Sequence, residues 1–365
     1  MNASDSWAAA LVDSQVRAST EIATREELDS YHSSAAPQVY DLSNYAVYGL
    51  KGDDATDFLQ GQFCNDIANV SAEQAQITGY CTPKGRLLAL PILVGAESGY
   101  RMLVPEEVSE AFIKRLSMFV MRSDVTITAL DDWLAMGLAI PESEPTEEQP
   151  KEQSDAAAVL PVQPAVGTLA VNSSESSQLI SWHDDLSGKY RRSRYIHLAP
   201  IEQQLSLWQS SSAEHRSSHC WRLANISAGI PSVTSGIVEA FVPQMINLQL
   251  INALSFTKGC YPGQEIVARM QYLGKLKRHM QVFSMPIEAL ADEQLTDILA
   301  PGNPLGCGDD KNAGVIVDAM PCTLSKAMIL AVTKTSVAGG EFAVSDIPLE
   351  PVKMPYELPS LNNVA

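Results

Sequence analysis

Beyond residue 278 the chain breaks into short apolar runs, MQVFSM, GVIVDAM, KAMILAVTK and EFAVS, divided by Gly- and Pro-rich turns such as Pro301-Gly302-Asn303-Pro304. Runs of strand length cut at that rate close into a small all-β barrel, so residues 279–365 are expected to form one. Before them strands and helices are mixed, without an internal repeat, which points to an α+β class of packed layers. At 365 residues the chain exceeds a single ordinary core and calls for two or three domains.

Residues 1–37 are polar and mixed and read as an N-terminal extension, with a helix over Glu21–Tyr31 that Thr20 would cap. Val39–Leu50 is strand-like, Gly52-Asp53-Asp54 marks a turn, and a helix follows over Ala55–Gln62. AQITGYCT, RLLALPILV and GYRMLVP read as consecutive strands. They lead to an amphipathic helix over Glu106–Phe119 and a strand in DVTITAL. Residues 141–179, rich in Pro, Glu and Gln, read as a low-complexity insertion. Strand signals return in QLISWHD and RYIHLAP, and a helix in Ile201–Ser210.

Acidic residues outnumber basic ones, 43 to 25, for a formal charge of -18. Such a field disfavours non-specific nucleic-acid binding by the bulk surface, so any contact with RNA needs a local basic patch. No apolar run is long enough to span a membrane and the first residues lack a basic leader, so a cytoplasmic protein without a membrane partner is expected. The six cysteines form no CxxC pair and are expected to be reduced, with no metal bound. His215, His219 and Cys220 cluster in sequence, but no second cluster completes a zinc site, and the histidines are expected at the surface.

The densest chemistry lies in Lys258-Gly259-Cys260-Tyr261-Pro262-Gly263-Gln264-Glu265. Two glycines and a proline force a tight loop, and the apolar spacing of Ile266, Val267 and Met270 predicts a helix after it, ended by Gly274. Cys260 would stand just before the helix N-terminus with the Lys258 ammonium two residues away, and both features favour a thiolate. Downstream, Arg269, Lys275, Lys277 and Arg278 gather with His279 into a basic cluster suited to a polyglutamate tail, a phosphate or an RNA backbone. Tyr45 sits in a strand, and Asn65 and Asp66 at a helix-to-loop junction, where such groups either bind a ligand or cap the turn.

At these residues the chain resembles the YgfZ family, which carries a K-G-C-Y-x-G-Q-E signature. The flanks agree: Trp221-Arg222-Leu223, Ala228-Gly229-Ile230-Pro231, Phe241-Val242-Pro243-Gln244 and Asn247-Leu248 upstream, and Val267-Ala268-Arg269 and Lys277-Arg278 downstream. Leu59-Gln60-Gly61-Gln62, Asn65-Asp66 and Cys81 with Lys84-Gly85 extend the likeness, which spans roughly 40–365 apart from the insertion. The resemblance implies a fold like the glycine-cleavage T-protein: three domains in a ring around a channel. Two intertwined α+β domains would occupy 38–130 and 180–278, with the barrel last. It implies tetrahydrofolate or a related folate in the channel, with Tyr45, Asn65, Asp66, Gln244 and Asn247 as candidate contacts. It implies work on iron–sulfur client proteins, including tRNA-methylthiolating enzymes, that rests on Cys260.

Two departures from the T-protein stand out: Ala111 where it has a catalytic aspartate, with Glu106 or Glu107 nearby, and Ser227 where it has a glutamate. Both remove carboxylates that aminomethyl transfer would use. Three readings follow: a folate-dependent accessory factor for iron–sulfur proteins, a folate-dependent one-carbon transferase, and a non-catalytic module that offers its basic patch to tRNA or a partner.

Overall fold

The computed structural model describes residues 3–16, 24–142, 169–174, 176–272 and 276–358. Its helices, numbered in chain order, are α1 (Ala3–Asp13), α2 (Arg25–Ser33), α3 (Ala55–Gln62) and α4 (Glu106–Ser117), then α5 (Ile201–Ser210), α6 (Ser218–Ser227), α7 (Gln264–Tyr272) and α8 (Asp292–Ile298). None is long and apolar enough to cross a membrane.

Eleven strands form one continuous sheet. Six make the first half, in the order Glu214–Arg216, Gln38–Asp41, Trp133–Pro141, Arg192–Pro200, Gln178–Asp185 and Leu169–Ser173. Five continue it: Gln74–Ile77, Ile92–Ala96, Gly99–Pro105, Tyr45–Lys51 and Thr126–Ala129. Neighbours are antiparallel except the first pair, which is parallel. The run Val39–Leu50, read from sequence as one strand, is therefore two. The chain turns where Tyr45 N–H donates to Leu42 O (3.0 Å), so Gln38–Asp41 enters one half-sheet and Tyr45–Lys51 the other. The range 141–179, read as an insertion, also contains a strand. Leu169–Ser173 pairs with Gln74–Ile77 on one side and Gln178–Asp185 on the other, and so joins the two halves. Leu169 and Val171 point into the core, which gives this short segment its apolar anchor.

The last unit is a seven-stranded sheet in the order Ile347–Pro348, Phe342–Val344, Pro304–Cys307, Asp310–Pro321, Lys326–Lys334, Arg278–Pro286 and Glu350–Val352. Its two edge strands are separated only by Leu349 in the chain, so the sheet curls back on itself as a nearly closed barrel around Phe283, Ile316, Ile329 and Phe342. The α+β layers and the barrel agree with the class read from sequence.

The N-terminal region is more than a polar extension. Helix α1 buries Trp7 edge-on against Trp208 (ring centroids 5.1 Å), and its indole N–H donates to Asp41 Oδ1 at 3.0 Å. The next helix starts later than the Glu21–Tyr31 expectation: Thr24, not Thr20, accepts the N–H of Glu27. Thr20 lies outside the described residues.

Helix α2 is locked to the sheet by a fully buried ion pair. Arg192 donates to Asp185 Oδ2 (2.9 Å) and to the carbonyls of Tyr31 and Ser34, and the Tyr31 hydroxyl donates to the same carboxylate at 2.6 Å. Removing one partner strands the other charge in a medium that cannot solvate it. Arg192→Met is expected to destabilise the protein by about 3–5 kcal/mol, read as a lower urea midpoint. A loss under about 1 kcal/mol would show that the pair is not the lock.

Candidate functional site

A cavity of about 560 Å³ opens where the two half-sheets and the barrel meet. Tyr45 and the first residues of α4 line one wall, α6 supplies Trp221, Arg222 and Asn225, and Asp318 closes it from the barrel. Trp221 can lie against the sheet because residue 137 is glycine; a Cβ there would come within 2.8 Å of the indole. The Arg194 guanidinium lies over that ring, 4.4 Å from its centroid. Trp182 Nε1–H donates to Asn225 Oδ1 at 3.0 Å and fixes its amide. Arg222 pairs with the buried Asp318 and ties α6 to the barrel. Glu107 accepts from the N–H and hydroxyl of Ser235 at 3.2 and 2.8 Å, closing the seam between α4 and the segment after α6.

Burial, reinforced by Asp318 and opposed by Arg194, pushes the Tyr45 phenol up to about 12, so it stays neutral and offers both a donor and a ring. The Trp221 indole N–H, Thr234 Oγ1 and Asn44 Oδ1 are buried at this cavity and have no hydrogen-bond partner among the described residues. A flat polar ring system suits such a place: aromatic walls, unspent donors and acceptors, carboxylates and a guanidinium, in a volume ordinary for a small-molecule site. A folate's pteridine meets that description. Tyr45, Trp221, Asn225 and Glu106 are the residues that would hold it.

The structure separates the other sequence candidates from this cavity. Asn65 donates to the carbonyls of Ile77 and Asn252 (3.0 and 2.8 Å), and Asp66 caps the short helix Ile67–Asn69. Gln244 donates to Val267 O at 2.7 Å, and Asn247, with φ of 61°, donates to Met280 O at 2.9 Å. These side chains hold loops and the barrel together. The histidines depart from expectation as well: His219 is buried at the cavity, and His215 packs on Trp208 with centroids 4.4 Å apart. Ala111 is exposed and Ser227 bonds Ala224 O, but α4 brings Glu106 and Glu107 to the cavity, so this wall keeps carboxylates.

The motif loop forms a second feature. Cys260 is exposed, four residues ahead of the first residue of α7. Lys258 does not stand beside it as the sequence suggested. Its side chain is buried, and Nζ donates to Gln60 O and, at 2.6 Å, to Phe63 O at the C-terminal end of α3. Cations are favoured at such unpaired carbonyls. The ammonium lies 5.3 Å from the centre of the Tyr261 ring, and Tyr261 is itself buried. Lys258 is thus a positioning residue that pins the loop.

Gly263 completes the docking. Its φ is +84°, and a Cβ would come within 2.5 Å of Thr82 O and 2.6 Å of Gly85, so the turn after Cys81 nests directly on the loop. Two motifs far apart in sequence meet here. Gly259 faces open space, Gln264 and Glu265 begin α7, and Glu265 and Arg269 are exposed on it. Lys277 and Arg278 follow at the entry to the barrel, and Lys275 lies outside the described residues. Sequence reasoning did not assign the cavity walls Trp221, Arg222 and Asp318, although the W-R-L run was visible.

Desolvation lowers the Lys258 amine to about 8, against the opposing pull of Cys64 and Asp66. Between pH 8 and 10.5 the unfolded chain then binds more protons than the folded one, so stability contributed by this group rises with pH across that window. The unfolding free energy of the wild type minus that of Lys258→Met should increase from pH 8 to 10.5 in urea titrations. A flat difference would contradict the buried placement.

No protein-family model matches the chain. Curated relatives do. A tRNA-modifying protein YgfZ of Aliivibrio fischeri is 30% identical over 251 residues, 69% of this chain and 72% of the relative. One from Colwellia psychrerythraea is 29% identical over 267 residues, 73% of this chain and 78% of the relative. Among solved structures, the glycine cleavage system aminomethyltransferase T from Bartonella henselae superposes with a TM-score of 0.64 over 91% of this chain and 88% of that one, at 15% identity. That likeness shows the shared fold.

Proposed function

The chain belongs to the YgfZ family, and we propose that it is a folate-binding accessory protein that supports iron–sulfur enzymes, among them enzymes that modify tRNA. The observation that carries this reading is the combination of a cavity walled by three units, with unspent polar groups inside it, and an exposed thiol on a clamped loop. The names of the relatives support the link to tRNA, and the T-protein fold supports a folate as the cavity's ligand.

Each part has a physical task. The cavity desolvates a flat ring between Tyr45 and Trp221, while the Arg222–Asp318 pair holds α6 against the barrel. Bound folate would supply one-carbon or redox chemistry. The chain's own residues orient the ring and exclude water. Cys260, held out of the core by Lys258 and Gly263, offers sulfur to a partner at the surface. Aminomethyl transfer is the weaker reading, because residue 111 is an exposed alanine rather than an acid.

Tetrahydrofolate should quench the tryptophan fluorescence of the protein. Tyr45→Ala should weaken binding roughly two- to tenfold, the loss of one aromatic stacking partner. Equal affinity in the two proteins would remove Tyr45 from the ligand's surroundings. The function itself is tested in cells lacking the gene: iron–sulfur enzyme activity under oxidative stress should fall and recover on complementation. Activity equal to that of the parent strain would refute the proposal.

A further inference from the structure

Trp221 is held against the sheet by one edge of its ring. A Cβ on residue 137 would lie 2.8 and 2.9 Å from its Cε3 and Cζ3, so that edge meets the strand Trp133–Pro141. The opposite edge, which carries Nε1–H, is turned away from the strand. This N–H is buried at the cavity and has no hydrogen-bond partner among the described residues. A donor already stripped of water gains most from an occupant that brings it an acceptor.

Over the same ring lies a cation that its surroundings do not neutralise. The Arg194 guanidinium is fully buried, 4.4 Å from the indole centroid. Its Nε donates to His183 O at 2.7 Å and Nη1 to Trp221 O at 3.4 Å, both neutral acceptors. Nη2 has no partner among the described residues. The carboxylate that acts on Arg194 most, Asp185, is already committed. Its Oδ2 accepts from Arg192 at 2.9 Å and from the Tyr31 hydroxyl at 2.6 Å, and its Oδ1 from the N–H and hydroxyl of Ser187 at 2.8 and 2.6 Å. Two buried guanidiniums thus share one buried carboxylate. Arginine does not shed its proton to escape such a site, so the positive potential stays. It reaches the cavity wall, where it acts on the Tyr45 phenol.

A cation over an indole face draws on the ring's electrons and makes the N–H at its edge a stronger donor. Resting on the folate reading above, we infer that Trp221 and Arg194 select the ring in this cavity by its oxo group. The electron-rich oxygen accepts from Trp221 Nε1–H. Arg194 is a positioning residue that acts through the indole and supplies the potential favouring that oxygen. A ring with an amino group in its place sets a donor against a donor and is rejected. Glu106, on the wall opposite in charge, would favour the added N–H, so the order of two such ligands decides which group controls the choice.

The test is anaerobic isothermal titration calorimetry of the full chain with tetrahydrofolate and with tetrahydroaminopterin, which differ only in that the ring oxo group becomes an amino group. The wild type should bind tetrahydrofolate about ten- to a hundredfold more tightly. Trp221→Phe, which keeps a ring and removes the N–H, should bring the two affinities within about threefold. Arg194→Met should also shrink the ratio; a loss of packing alone would weaken both ligands equally and leave the ratio unchanged. If Arg194→Met does not fold, Trp221→Phe carries the test. Equal or tighter binding of the amino ligand by the wild type overturns the inference and leaves the folate reading standing. A preference for tetrahydrofolate that survives in Trp221→Phe overturns it as well. Absence of tetrahydrofolate binding to the wild type overturns the folate reading and this inference with it.

Discussion

The Lys258 ammonium reaches across a domain seam to the carbonyls of Gln60 and Phe63, and much of the site's geometry depends on that reach. The last carbonyls of α3 have no partner within the helix, and a buried cation there satisfies them. Because Lys258 is pulled inward, Tyr261 follows it into the core and Cys260, between them in sequence, is left at the surface. The nesting of Gly263 against Thr82 and Gly85 fixes the other end of the loop. The thiol is therefore presented by a scaffold whose two anchors come from the chain segment that builds the five-stranded half-sheet.

The larger architecture serves the same end. Leu169–Ser173 joins two half-sheets into one, and the passage of the chain from Gln38–Asp41 in the first half to Tyr45–Lys51 in the second interlocks them. The barrel docks on this body through Arg222 and Asp318 and through Asn247, whose amide bonds the strand Arg278–Pro286. What these elements leave uncovered is the cavity beside Tyr45 and Trp221. A ligand there touches all three units, so its binding energy also bears on how they are held together.

Much of this was legible in the sequence. The strand cadence gave the barrel, and the Gly-Pro loop followed by apolar helical spacing gave α7; Cys260, read as the reactive candidate, lies exposed on that loop. What local patterns could not convey was direction. Lys258 and Cys260 are two residues apart, yet one faces the core and the other solvent, because a loop has no fixed periodicity from which to infer sides. Asn65, Gln244 and Asn247 carry groups equally able to bind a ligand or stitch a backbone, and only tertiary packing decides between the two uses. The break after Asp41 and the strand at Leu169 were hidden for a related reason: strand pairing is a long-range choice, and neither segment differs locally from its surroundings.

The central claim is that the clamped loop exists to present the Cys260 thiol. Its most direct test is the level of tRNA methylthiolation, by nucleoside mass spectrometry, in cells whose only copy of the gene encodes Cys260→Ala. With the variant protein folded and as abundant as wild type, the account expects a fall to the level of a complete deletion. Methylthiolation at the wild-type level would contradict it and leave the loop as a structural connector.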